Sequence, residues 1–308
     1  MNTVGFLFPG QGAQFVGMGR DLYDHFPAAK AIFDRADAVL GYSLSRICFE
    51  GPEEELTRTL NAQPAIYAMS LAALAVLREK FPGIKPVFAA GLSLGEWTAL
   101  AAAAALPWEE GLKLVQVRAQ AMEAAAQKNP GTMASALGLS LDLCRQAAQE
   151  AGCEIANLNT PDQTVFSGTV ESIDRVIPLA EAKGAKKVIP LKVGGAFHSS
   201  LMKDARETLA RALQPAAFKT PDCTFVPNAT AQPVSDPAEI KDLLARQVTS
   251  SVCWVETMEA AGKSGAVLYL EIGPNKVLKG LARKCGLQAP VEPCGTKEDL
   301  EKLTTTLG

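Results

Sequence analysis

At 308 residues, 48% hydrophobic and 20% charged, the chain has room for one large domain or a core with a smaller insert, and its balance excludes a disordered polymer. A net charge of −3 excludes wholesale nucleic-acid binding, so an anionic ligand must be met by local basic groups. Seven cysteines (Cys48, Cys144, Cys153, Cys223, Cys253, Cys285 and Cys294), odd in number and with no C-x-x-C pair, exclude a disulfide framework and a zinc ribbon and point to a reducing cytoplasm.

In chain order, residues 3–8 (TVGFLF) read as a strand, and no basic lead precedes Arg20, so no secretory signal is expected. FPGQGAQFVGMG (8–19) follows. It is no Walker loop, since no G-K-[ST] follows, and no dinucleotide fingerprint, since Phe15 takes the third glycine's place. Its Pro-Gly-Gln-Gly still leaves a loop at the carboxyl edge of a sheet, where ligands of open α/β folds bind. Gln11 there offers a side-chain amide or a backbone N–H. His25, in DLYDHFPAA, reads as a polar helix-end residue before a helix at 28–40. PVFAAG (86–91) is a strand, and GLSLGEWTAL (91–100) turns from it into an alanine-rich helix. The apolar run 99–106 stops at Pro107, short of the roughly 18 residues a membrane span needs, and no membrane segment is expected.

After a helix at 108–127, six elements follow: TMASAL (132–137), LDLCRQAAQEA, EIANLN (154–159), TVFSG (164–168), ESIDRVIPLAEAK and KKVIPL (186–191). This strand-helix-strand-strand-helix-strand order is the ferredoxin-like pattern. It predicts an insert over 130–194, with NPG (129–131) and VGG (193–195) as crossings, in a larger α/β core formed by 1–129 and 195–308. A helix at 199–213 and a strand at 266–272 (AVLYLEI) belong to that core.

Gly91-Leu92-Ser93-Leu94-Gly95 fits a nucleophile elbow: a serine on a tight turn between strand and helix, with small flanks that let the backbone bend. The plainer alternative is a buried βα turn whose glycines serve packing. A serine nucleophile needs a base, and histidine is the usual one near neutral pH. Only His25 and His198 exist, and His198, in VGGAFHSSLM, sits at the edge of the predicted insert. Serine first and histidine later is the chain order of α/β-hydrolase-type enzymes, which suggests an α/β-hydrolase-like core. A helix-capping histidine is the alternative. No spaced set of metal ligands is visible.

These stretches together resemble the malonyl-CoA:acyl carrier protein transacylases of bacterial fatty-acid synthesis. The resemblance is carried by FPGQGAQ (8–14), NAQPAIYAMSLA (61–72), AAGLSLGEWTAL (89–100), VQVRAQAM (115–122), NPGTMAS (129–135), EIANLNTPDQTVFSG (154–168), GAFHSSLM (195–202), RQVTSSVCWVETM (246–258) and EIGPNKVLKGL (271–281). It implies an acyltransferase with Ser93 as nucleophile and His198 as base, the histidine oriented through a carbonyl of Gln247. It further implies an oxyanion held by the N–H groups of Gln11 and Leu94, and Arg118 on the free malonyl carboxylate. Gln63 and one of Asn157 and Asn159 would line the pocket, and Phe197 would wall the acyl α-carbon against a methyl branch. The chemistry of Arg118 stands by itself: a buried carboxylate needs a partner, and a planar guanidinium gives it two parallel hydrogen bonds. A surface arginine on the helix is the alternative, weakened by the apolar neighbours Val115 and Val117.

The chain departs from many members in carrying Leu92 where they have His. The resemblance implies ping-pong transfer with malonyl-CoA as substrate, no cofactor, acyl carrier protein as partner, and a monomer. Carriers of this pathway are acidic, so a basic docking surface is expected. Two stretches qualify: 183–192, with four lysines and no acid, and 275–284, where Lys276, Lys279 and Arg283 are spaced for one helical face. Rival readings are a serine thioesterase or hydrolase, which would want a carboxylate behind His198 and has no need of Arg118; a polyketide-pathway acyltransferase, separable by carrier preference; and a non-catalytic acyl-CoA-binding module, in which Ser93 would be dispensable.

Overall fold

The computed structural model describes residues 3–307. Among them nine strands occur: β1 (Val4–Phe8), β2 (Pro86–Gly91), β3 (Thr132–Leu137), β4 (Glu154–Thr160), β5 (Gln163–Gly168), β6 (Lys187–Pro190), β7 (Thr224–Phe225), β8 (Leu268–Ile272) and β9 (Val291–Cys294). They form two sheets, a parallel one in the order β7-β2-β1-β8-β9 and an antiparallel one in the order β4-β5-β3-β6.

β1 and β8 are buried along their whole length, as continuous apolar strands must be when helices cover both faces of a parallel sheet. One covering helix, Thr59–Lys80, is apolar on nearly every side and mostly buried. Its length and composition alone would let it cross a membrane, yet most of it is buried inside the fold. The reason lies in packing: a core helix contacted on all sides has no polar stripe to interrupt it. β7, two residues long, and β9, which contains Pro293, escape sequence patterning, and β9 lies at the sheet edge where proline is tolerated.

In the antiparallel sheet, the strand period of two splits the residues between faces. Ala134, Ala136, Phe166 and Val188 pack in one cluster with helices Leu141–Ala151 and Val170–Ala182. Met133 and Val165 join the cluster of the main core instead. A bulge between Ile155 and Asn157 sets Asn157 opposite Val165. β4 is the edge strand on that side, and its exposed ladder is closed by Val252, which accepts from Leu158 N–H (2.9 Å) and donates to Ala156 O (2.8 Å).

Candidate active site

β1 and β2 lie side by side and end together, with Phe8 opposite Gly91. The chain leaves β2 through a turn so tight that Ser93 adopts φ 50°, and helix Gly95–Ala102 starts two residues on. Both glycines are required by space. A Cβ on Gly91 would fall 2.0 Å from the Gly95 carbonyl carbon, and one on Gly95 would fall 2.0 Å from Phe8 O. A non-glycine residue in such a conformation costs about 1–3 kcal/mol. Asn228 holds it there: its Oδ1 accepts the Ser93 N–H at 2.6 Å and its Nδ2 donates to Gly91 O at 2.8 Å.

His198, also at positive φ (57°), places Nε2 2.8 Å from Ser93 Oγ. Its Nδ1 lies 2.9 Å from the backbone carbonyl of Gln247. A carbonyl can only accept, so Nδ1 carries the proton and Nε2 presents its lone pair to the serine hydroxyl. Burial, then the charge of Arg118, push the imidazole down to about 4, so it is neutral, as a base must be, across the physiological range.

Arg118, in helix Trp108–Lys128, is only 1% exposed. Its Nη1 donates to Gln63 Oε1 (2.6 Å), and its Nη2 to Gln247 Oε1 (2.8 Å) and Ser93 Oγ (3.0 Å). Its Nε has no partner among the described residues, and the guanidinium forms no ion pair there. Gln247 therefore serves the site twice, through its carbonyl to His198 and through its side chain, whose Nε2 reaches Ser93 O (2.9 Å) and Glu96 Oε2 (2.7 Å).

The cleft over Ser93 has a volume of about 230 Å³. Gln11, Ser93, Arg118, Phe197 and His198 line it, and so do both Asn157 and Asn159, which share a face of β4. The N–H groups of Gln11 and Leu94 donate to nothing among the described residues, which leaves both free for an acceptor near Ser93. Gln63 does not line the cleft. It is fully buried and holds Arg118 from behind, with Nε2 3.5 Å from Met122 Sδ.

The basic face expected at 276–283 needs correction. Lys276 precedes helix Val277–Lys284, because the Glu271 carboxylate takes the first N–H groups, those of Leu278 (2.8 Å) and Lys279 (2.7 Å). Only Lys279 and Arg283 then share helical spacing, and Lys279 is paired with Glu292 (3.0 Å), as Lys276 is with Asp299 (3.5 Å). In the other basic stretch, Lys192 lines the cleft. His25 is exposed and its Nδ1 meets Asp21 O, a helix-end arrangement.

Sequence reasoning missed two residues. Asn228, in a loop, left no local signal. Glu96 was visible only as an acid in the first turn of a helix, where an acid ordinarily serves the helix dipole. It is fully buried, accepts from Asn228 N–H (2.8 Å) and Gln247 Nε2 (2.7 Å), and is pushed up to about 7 by burial.

The model of the acyl transferase domain family matches residues 5–301. The chain is 41% identical to the malonyl CoA-acyl carrier protein transacylase of Bacillus subtilis strain 168, covering 100% of this chain and 98% of that one. With the enzyme of the same name from Escherichia coli K12 it shares 35% identity, over 92% and 93% of the two chains. The crystal structure of the acyl-carrier-protein-S-malonyltransferase from Bartonella henselae superposes with a TM-score of 0.95 at 38% identity and 99% coverage of both chains. A structure of a type II PKS acyl-carrier protein in complex with its malonyl-transacylase matches with the same TM-score at 34% identity, again over 99% of both chains. The chain belongs to the acyl transferase domain family, among the malonyl CoA-acyl carrier protein transacylases.

Proposed function

We propose that the chain moves a malonyl group from malonyl-CoA to the phosphopantetheine thiol of an acyl carrier protein, through an ester on Ser93. His198 Nε2 takes the Ser93 proton as Oγ attacks the thioester carbonyl, and the negative charge that develops on the carbonyl oxygen is met by the N–H groups of Gln11 and Leu94. As the tetrahedral intermediate collapses, the C–S bond breaks and CoA leaves as the thiol with the proton from His198. The carrier's thiol then repeats the sequence in reverse, giving its proton to His198 and returning the serine hydroxyl. Arg118 binds the malonyl carboxylate; Phe197, Asn157 and Asn159 form the wall around the acyl group.

One observation carries this reading: a buried guanidinium with no carboxylate partner among the described residues, 3.0 Å from the oxygen that His198 is placed to deprotonate. A buried cation with no anion in contact is costly, and an acyl group bearing a carboxylate supplies one. A backbone carbonyl behind His198, in place of a carboxylate, also favours transfer over the hydrolase reading.

We further propose an α/β-hydrolase-like core over 1–129 and 195–308 and a ferredoxin-like insert over 130–194, supported by the two sheet orders. Carrier docking is assigned first to 183–192, ending at Lys192 on the cleft, and then to Arg283, which has no carboxylate partner among the described residues. All seven cysteines are free thiols, which supports a cytoplasmic setting.

Initial rates with malonyl-CoA and a phosphopantetheinylated carrier, each varied at several levels of the other, test the reading. Parallel double-reciprocal lines are expected. Intersecting lines, or CoA release that does not depend on the carrier, contradict it.

A further inference from the structure

Glu96 takes no part in the steps above, yet it is the buried carboxylate whose charge acts on Arg118. The two are not in contact. Between them stands a single amide, that of Gln247, with Nε2 on Glu96 Oε2 (2.7 Å) and Oε1 on Arg118 Nη2 (2.8 Å). An ionised carboxylate only accepts and a guanidinium only donates, so this amide has one permitted orientation. The Glu96 Oε2 also takes the N–H of Asn228, the residue whose side chain clamps both sides of the elbow. Its Oε1 has no partner among the described residues.

We infer that Glu96 is a positioning residue that sets selectivity for acyl groups bearing a carboxylate: it is the resident counter-anion of Arg118, relayed through Gln247, and it moderates the pull of the guanidinium on the acyl carboxylate. This rests on Arg118 as the carboxylate holder. Two anions then share one buried cation, and in a protein interior each weakens the other's hold over several ångströms. Burial pushes Glu96 up to about 7 and Arg118 down to about 10, so neither charge is fully compensated.

Glu96→Gln separates charge from shape. Its amide oxygen can accept both bonds now made to Oε2, while its NH2 falls where Oε1 has no partner. Steady-state transfer is measured with malonyl-CoA and with acetyl-CoA, which lacks the carboxylate. At about pH 8, where Glu96 is ionised, the expected result is a KM for malonyl-CoA about fivefold lower, with the KM for acetyl-CoA unchanged. Asn228→Ala serves as the structural control and lowers kcat for both substrates by a similar factor. If Glu96→Gln changes both substrates equally, Glu96 is only structural and the inference falls.

Arg118→Ala distinguishes the two levels. If it leaves the malonyl-to-acetyl preference unchanged, the carboxylate-holder reading itself fails. If it removes the preference while Glu96→Gln leaves it intact, only the inference about Glu96 fails.

Should Glu96→Gln not fold, the pH dependence of the wild-type KM decides. The charged or titratable groups of the site are Arg118, which stays a cation, His198, which stays neutral above about pH 5, and Lys192 on the cleft lining, which faces both substrates alike; Gln247 and Asn228 present only neutral amides. Protonating Glu96 removes the competing anion, so the KM for malonyl-CoA should fall from about pH 8 to about pH 6 while that for acetyl-CoA stays flat. A flat profile for both overturns the inference.

Discussion

On the parallel-sheet side of the cleft nearly every chemical group is fixed by two or more hydrogen bonds, whereas the antiparallel side offers mostly apolar surface. Ser93 is held by Asn228 and Gln247, and Arg118 by Gln63 and Gln247. Opposite them stand Met133, Val165, Leu191 and Val193, and the Oδ1 of Asn159 has no partner among the described residues. One side carries the chemistry and the other the shape. Preorganised groups accelerate a reaction because no reorganisation is needed when charge develops, while an apolar wall excludes water and selects by fit.

That division predicts a gradient of mutational effects. Ser93→Ala should abolish acyl-enzyme formation, lowering kcat more than about 10⁴-fold. His198→Ala should cost about 10³-fold in kcat, since the base is gone but the oxyanion donors remain; a loss under tenfold would break the assignment. Arg118→Ala should lower kcat/KM for malonyl-CoA by about 10²-fold and leave acetyl-CoA nearly unaffected, and Arg118→Lys should restore little, lacking the planar fork. At the wall beside His198, Phe197→Ala should shift the ratio of methylmalonyl-CoA to malonyl-CoA by about tenfold, within the 1–3 kcal/mol that one methyl commands. An effect there as large as that at His198 would erase the comparison.

The pH profile sharpens the same contrast. In the proposed mechanism His198 is the base in its neutral form, and its pKa is depressed to about 4. Activity is therefore present above that value and lost as pH falls through it, so the acid limb of kcat/KM for acetyl-CoA should begin below about pH 5 rather than near the 6.5 of an unperturbed histidine.

The elbow was legible in the sequence because crowding demanded two glycines at fixed spacing after an apolar strand. The antiparallel sheet was legible because its six elements alternate in period, and β4 and β5 deviate by only a residue at their ends. What the residues alone did not reveal shares a physical reason. Gln247 acts on His198 through a backbone carbonyl, which any residue type could supply, so only the family resemblance pointed to it. Glu96 and Asn228 are single polar residues whose meaning lies in partners more than a hundred positions away. Gln63, which only the resemblance put on the pocket wall, stands behind Arg118 and does not line the cleft.

The most direct test of the account is the intact mass of the protein after brief mixing with malonyl-CoA and no carrier, for the wild type and Ser93→Ala. The account predicts one malonyl-sized increment on the wild type alone, discharged when an acyl carrier protein is added. No increment on the wild type, or the same increment on both proteins, would contradict it.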